Sequence, residues 1–110
     1  VSTYYLVQGD DAPQIQVTLT RDETGAIIDL TNKTAVFKFR KKGTELVLAT
    51  LSDIASPSNN EAGIAIFQWG TTDLDISPGL YEGEIEITDD ATARKETVYE
   101  KFEFQVREDF

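Results

Sequence analysis

Residues 14–20 alternate strictly, with Ile15, Val17 and Leu19 on one side and Gln14, Gln16, Thr18 and Thr20 on the other. A two-residue period sends successive side chains to opposite faces of an extended chain, so this segment predicts a half-buried strand. Residues 34–41 repeat the pattern, placing Ala35, Phe37 and Phe39 inward and Val36, Lys38 and Arg40 outward. Residues 80–88 alternate most cleanly: Tyr81, Gly83, Ile85 and Ile87 face in, and Glu82, Glu84 and Glu86 face out. Shorter β-prone runs occupy residues 4–7, 45–51 and 64–69, the last almost wholly apolar, as expected of a strand covered on both sides. Residues 95–107 predict one last strand with Phe102, Phe104 and Val106 inward. Extending that alternation backwards points Glu100 at the core and Tyr99 away from it, so a bulge is expected at Tyr99 to Lys101, which costs less than a buried unpaired carboxylate.

Turn chemistry separates these runs. Gly9-Asp10-Asp11-Ala12-Pro13, Arg21-Asp22-Glu23-Thr24-Gly25, Lys42-Gly43-Thr44, Ser77-Pro78-Gly79 and Asp89-Asp90-Ala91-Thr92-Ala93-Arg94 each break the alternation with residues suited to tight bends, Gly25 standing where a positive φ is expected. Ile27, Ile28 and Leu30 form a brief apolar stretch before the bend at Thr31-Asn32-Lys33. Residues 52–63, with Asp53, Ser56-Pro57-Ser58-Asn59-Asn60 and Glu61, carry no period and predict a surface loop. No apolar residues recur at helical spacing. About seven strands in one domain, residues 1–110, predict an all-β fold: an immunoglobulin-like antiparallel β-sandwich, with a small barrel as the rival architecture.

Composition then removes chemistry from the picture. The 110 residues include no cysteine and no histidine. That excludes disulfides, thiolate zinc sites, cysteine nucleophiles and histidine-based triads, and with them most enzyme classes. The 20 acidic residues outnumber the 10 basic ones, for a net charge of −10, so nucleic acid and anionic membranes are not expected as partners. No apolar run approaches the ~20 residues of a membrane span, and the first eight residues lack the features of a signal peptide; the expectation is a soluble domain. The chain has no methionine, which suggests a processed chain or a piece of a longer one.

The remaining candidates for chemistry each have a plainer reading. Glu82, Glu84 and Glu86 on one face would repel one another unless Lys38 and Arg40 lie on the neighbouring strand; a charge-paired sheet face is expected in preference to an acid-base cluster. Asp73-Leu74-Asp75 is the best calcium candidate, but no ligand loop closes around it, and Asp10-Asp11 and Asp89-Asp90 read as turn residues. Tyr81 stands where a tyrosine corner belongs, and Gly83, two residues on, where an antibody domain has its second disulfide cysteine. Trp69 is expected in the core, while Trp69 or Tyr4, Tyr5 and Tyr99 as a sugar-stacking platform is the alternative. No catalytic, cofactor-binding or metal-binding residue is assigned, and no cofactor is expected.

The residues Tyr4-Tyr5-Leu6-Val7-Gln8-Gly9-Asp10-Asp11-Ala12-Pro13, Val17-Thr18-Leu19, Ile28-Asp29-Leu30-Thr31 and Val36-Phe37-Lys38-Phe39-Arg40-Lys41 stand in the order of a known pattern. Gly63-Ile64-Ala65-Ile66-Phe67-Gln68-Trp69, Pro78-Gly79-Leu80-Tyr81-Glu82-Gly83-Glu84 and residues 102–107 continue it. Together they resemble the amino-terminal domain family of the upper baseplate protein (BppU) of phages that infect Gram-positive bacteria. The resemblance implies an immunoglobulin-like, non-enzymatic protein of a phage or prophage virion, assembled in the bacterial host cytoplasm and associated with the tail or baseplate. It implies other tail proteins as partners, with a symmetric homo-oligomer in the particle. The baseplate protein continues into helical and receptor-binding-organising regions that have no counterpart in this sequence. Tyr4, Tyr5, residues 52–63 and the acidic face are the expected contact surfaces. The competing reading is an extracellular carbohydrate- or calcium-binding module.

Overall fold

A computed structural model describes residues 2–21, 24–97 and 102–108. The alternating segments become strands: β1 (Ser2–Val7), β2 (Gln14–Thr18), β3 (Lys33–Lys41), β4 (Val47–Ser52), β5 (Ile64–Gln68), β6 (Gly79–Asp89), β7 (Lys95–Thr97) and β8 (Phe102–Arg107). The larger sheet runs β1-β8-β6-β3-β4, with β7 also paired to β6, and β2 and β5 form a second, two-stranded antiparallel sheet. The fold is therefore all-β. Its side-chain alternation follows the sequence: Ile15, Val17 and Leu19, then Ala35, Phe37 and Phe39, then Tyr81, Ile85 and Ile87, then Phe102, Phe104 and Val106 are all buried in one core.

One pairing departs from the antiparallel expectation. β1 lies parallel to β8, from Ser2 opposite Phe102 to Val7 opposite Arg107, and the backbone N–H of Gln8 extends the ladder to the carbonyl of Arg107. The cause is connectivity. The bend after Val7 carries the chain into the other sheet, so β1 needs no hairpin partner and takes the edge beside the last strand. The last strand also differs from a single run, since β7 and β8 pair with β6 in different registers. Thr97 stands opposite Glu86 and Phe102 opposite Gly83, so five residue steps on one side match three on the other. The bulge expected at Tyr99 to Lys101 lies outside the described residues.

The segment expected to be a loop at residues 52–63 contains a short helix, α1 (Pro57–Glu61), that buries no side chain. Ser56 caps it, its Oγ accepting the N–H of Asn59 at 3.3 Å, and Pro57 takes the first turn, where a missing N–H costs nothing. Asp53 fastens the segment to the sheets. Its Oδ1 accepts the N–H groups of Ala55 and Ile66, both at 2.9 Å, and its Oδ2 accepts the side-chain amide of Asn60 at 2.6 Å. Hydrophobic periodicity is blind to a helix held by a cap and a carboxylate.

Phe37 and Phe39 bind the two sheets together. Phe37 meets Phe67 of the small sheet at 5.6 Å between ring centroids and Phe104 of the large one at 5.7 Å. Phe39 lies edge-on to Trp69 at 4.8 Å and stacks on Tyr81 at 5.2 Å. Such pairs contribute about 0.5–1.5 kcal/mol each beyond the area they bury. Trp69 is 2% exposed, and its indole N–H is a buried donor without a hydrogen-bonding partner among the described residues.

Gly83 makes this packing possible, because a Cβ built there would lie 2.1 Å from Cζ of Phe37. Gly83→Ala is expected to lower unfolding free energy by about 1–3 kcal/mol through overpacking, read from the urea midpoint. Combining it with Phe37→Leu should cost less than the sum of the single changes; strict additivity would show that the two side chains do not share that space.

Candidate interaction surface

The outer face of the large sheet is built by the same alternation that fills the core. β3 and β6 pair directly, setting Arg40 opposite Glu82, Lys38 opposite Glu84 and Val36 opposite Glu86. The expected charge pairing is present in two bridges: Arg40 donates to Glu82 at 2.8 Å, and Lys38 reaches diagonally past Glu84 to Glu86 at 2.7 Å. Lys42 donates to Glu103 at 2.9 Å, and Lys95 lies 3.9 Å from the second oxygen of Glu86. The carboxylates of Glu82 and Glu86 are thus largely covered, 14% and 17% exposed, and already engaged by cations. This is a charge-paired sheet face.

Charge regulation on this face follows from those bonds. The hydrogen bond from Lys38 is the largest influence on Glu86 and holds its carboxyl below the ordinary value of 4.5; the charges of Lys38 and Lys95 act the same way, and partial burial opposes them. The bond to Glu103 likewise raises the Lys42 ammonium above 10.5.

Two concave features among the described residues adjoin this face and its end. A pit of about 20 Å³ between Lys38, Arg40, Glu82 and Glu84 is no larger than a water molecule. A groove of about 310 Å³ lies at one end of the sheet, between the turn that joins β3 to β4 and residues 76–77. Its lining is Lys41, Thr44, Leu46, Leu48, Ile76, Ser77 and Tyr81, without a carboxylate. It offers apolar contact and no acid-base pair.

Tyr81 closes the groove and forms the expected corner. Its ring is buried on Phe39, and its hydroxyl donates to the carbonyl of Ser77 at 2.5 Å. Burial raises its phenol above 10.0, which favours the protonated donor.

The other sequence candidates separate. Leu74 is fully buried, and Asp73 on one side of it accepts the N–H of Gly70 at 2.7 Å, as a turn residue does. Among the described residues no three carboxylate, histidine or cysteine side chains gather where they would hold a metal ion. Asp89 and Asp90 serve their turn: Asp89 accepts the N–H of Ala91 at 2.9 Å, and Asp90 accepts the Thr34 hydroxyl at 2.7 Å. Trp69 is buried and forms no stacking platform. Tyr4, expected as an exposed contact residue, instead stacks on Phe104 at 5.3 Å, while Tyr5 is 77% exposed. Tyr99 lies outside the described residues.

Sequence reasoning missed a surface on which several apolar side chains of the described residues are exposed. Leu46, Val47, Leu48 and Ile54 are all exposed on or beside β4. The run Leu46-Val47-Leu48 was its only signal, and it reads equally well as core.

No protein-family model matches the chain, and no curated protein matches it. Among solved structures it is similar to part of a family 123 glycoside hydrolase from Clostridium perfringens, studied for glycolipid glycan hydrolysis, with 18% identity and a TM-score of 0.36. The match covers 98% of this chain and 23% of that enzyme's chain, so the chain spans less than a quarter of its length. No helix of the described residues is long and apolar enough to cross a membrane.

The Lys38–Glu86 pair sets an acid limb. A folded-state pKa below the unfolded one contributes stability above about pH 4.5, and this is lost as the pH falls through the folded value. Lys38→Met is expected to lower stability at pH 7 by no more than about 1 kcal/mol and by less at about pH 3, flattening the pH dependence. Urea midpoints at the two pH values check this; an equal loss at both would assign the effect of Lys38 to packing of its stem.

Proposed function

We propose that this chain is an immunoglobulin-like sandwich that works without catalysis as a protein–protein interaction scaffold in a phage or prophage virion, associated with its tail or baseplate and assembled in the bacterial cytoplasm. Its partners in this reading are other tail proteins. The observation that supports the sandwich part of this reading is the strand order, and the virion part rests on the resemblance of the sequence to the baseplate-protein domain family. β1-β8-β6-β3-β4 facing β2-β5, with the central pairing of β3 and β6, is the arrangement expected of an immunoglobulin-like sandwich with extra strands on one sheet. The corner bond from Tyr81 to Ser77 supports the same reading.

The surface chemistry is consistent with gripping rather than converting. The carboxylates of Glu82 and Glu86 are engaged by Arg40 and Lys38, the pit that Glu82 lines is about 20 Å³, and no carboxylate is among the described residues that line the groove beside Tyr81. A rigid sandwich of this kind offers strand edges, loop ends and a charged sheet face to its neighbours.

Two measurements test the reading. Antibodies against the domain should decorate the tail region of particles made by a strain that carries its gene; purified particles that lack the protein would overturn the assignment. Thermal melts with 10 mM calcium and with a glycan panel should show no shift. A ligand bound at a hundredfold above its dissociation constant adds about 2.7 kcal/mol, which moves the midpoint of a domain this size by roughly 10 °C or more. A shift of that size would replace the scaffold with a ligand-binding module.

A further inference from the structure

Charge is distributed among the strands in an unusual way. The interior strands are heavily charged: β3 carries Lys33, Lys38, Arg40 and Lys41, and β6 carries Glu82, Glu84, Glu86 and Asp89. The strands that end the large sheet, β1 and β4, carry no charge at all, and neither contains proline. Proteins that must stay single place lysine, proline or a bulge on such edges, since an open row of N–H and C=O groups is a template for another strand. β4 has a bulge opposite Phe39 and Arg40, but no charge guards the rest of the strand.

Among the described residues, exposed apolar side chains also concentrate on β4 and the residues that flank it. Leu46 is 72% exposed, Ile54 58%, Val47 43% and Leu48 42%, while Tyr5, Ile27 and Leu80 stand on three other elements. These four residues straddle Thr50, in the middle of the strand. We propose that β4 pairs antiparallel with β4 of a second copy of this chain about a two-fold axis near Thr50, joining the two large sheets into one. This rests on the scaffold reading and names one of its contacts.

Self-complementarity selects a copy as the occupant. A two-fold axis brings Leu46 of each copy to the end of the strand where Ile54 of the other leaves it. The charges nearest the two ends of β4 are already engaged within each copy, Lys42 by Glu103 and Asp53 by Ala55, Asn60 and Ile66, so the contact rests on the apolar side chains and the open ladder. Elsewhere two chains of net charge −10 repel; along this edge they have no charge to repel with. The exposed fractions amount to about two whole aliphatic side chains per copy, less than the ~800 Å² per partner of a standard stable interface. The pairing is consequently weak and concentration-dependent, with a dissociation constant of about 10–1,000 μM. Such a contact suits a particle that holds many copies close together.

Sedimentation equilibrium of the intact chain tests this. The mass should rise from 12.3 kDa toward twice that value between about 10 μM and 1 mM. Thr50→Lys, which places like charges across the axis, should weaken association at least tenfold, and Thr3→Lys on the β1 edge should leave it unchanged. Because the chain has no cysteine, Thr50→Cys gives a single thiol that, with oxidised glutathione added as the two-electron acceptor, should form a disulfide-linked dimer at least tenfold faster than Thr3→Cys. Fluorescence of the buried Trp69 verifies that each variant is folded. A mass of 12.3 kDa throughout, or association abolished by Thr3→Lys but not by Thr50→Lys, overturns the pairing. A monomer that also shows no ligand shift loses only this contact, whereas a ligand shift overturns the scaffold reading whatever the mass.

Discussion

The contact of the Phe37 ring with the bare α-carbon of Gly83 governs the rest of the molecule. Phe39 is the direct cross-strand partner of Gly83, and Phe37 lies two residues along β3, so its ring leans over the glycine into the space a side chain would fill. From there it reaches Phe67 on the opposite sheet and Phe104 on β8. Antibody domains tie their two sheets with a disulfide. This cysteine-free chain ties them with rings, and the tie is therefore indifferent to redox conditions. What it requires instead is shape: a glycine on one strand and an aromatic ring on the next.

That arrangement dictates the outer surface as well. Because β3 and β6 must pair to bring Phe37 over Gly83, their outward residues are brought side by side too. The sequence uses cations on one strand and carboxylates on the other, so the register that packs the core also joins Arg40 to Glu82 and Lys38 to Glu86. A one-residue slip would turn Phe37 and Phe39 to solvent and the charges into the core. Each ion pair adds little stability where water reaches it, but together they oppose the wrong register. The acidic face, expected from the sequence to be charge-paired, is the outer half of a registration device.

Legibility in the sequence followed the source of each feature. Strands held by one buried face, such as 14–18, 33–41 and 79–89, announce themselves through alternation, and so do the core residues they carry. Tyr81 was legible as a corner because its role depends on the local sequence Ser77-Pro78-Gly79. Features that leave no hydrophobic period were not. The parallel placement of β1 is set by where the chain goes after Val7, and α1 by Ser56, Pro57 and the reach of Asp53, none of which produces a hydrophobic period. The pair Ser56-Pro57 was the available signal for α1, since serine before proline is a strong helix start. Tyr4 and Tyr5 are identical as letters, yet Tyr4 is partly buried and Tyr5 exposed, because a strand's alternation assigns a face only when its neighbours are known.

The same logic explains why the exposed edge escaped notice. Leu46-Val47-Leu48 at the head of β4 has the composition of a buried strand, and only the sheet order reveals that β4 has a neighbour on one side alone. A monomer gains nothing from leaving such an edge free of charge while loading its protected interior strands with charged residues. Lysine at an exposed edge position costs little and prevents unwanted pairing, so its absence from both ends of the large sheet leaves these strands open to partners. The interior charges face the opposite constraint. There, each side chain has a fixed neighbour on both sides, and opposite charges add specificity at small cost. The distribution of charge thus separates the strands whose partners lie within the chain, β3 and β6, from an edge whose partner, in the reading proposed above, comes from another copy.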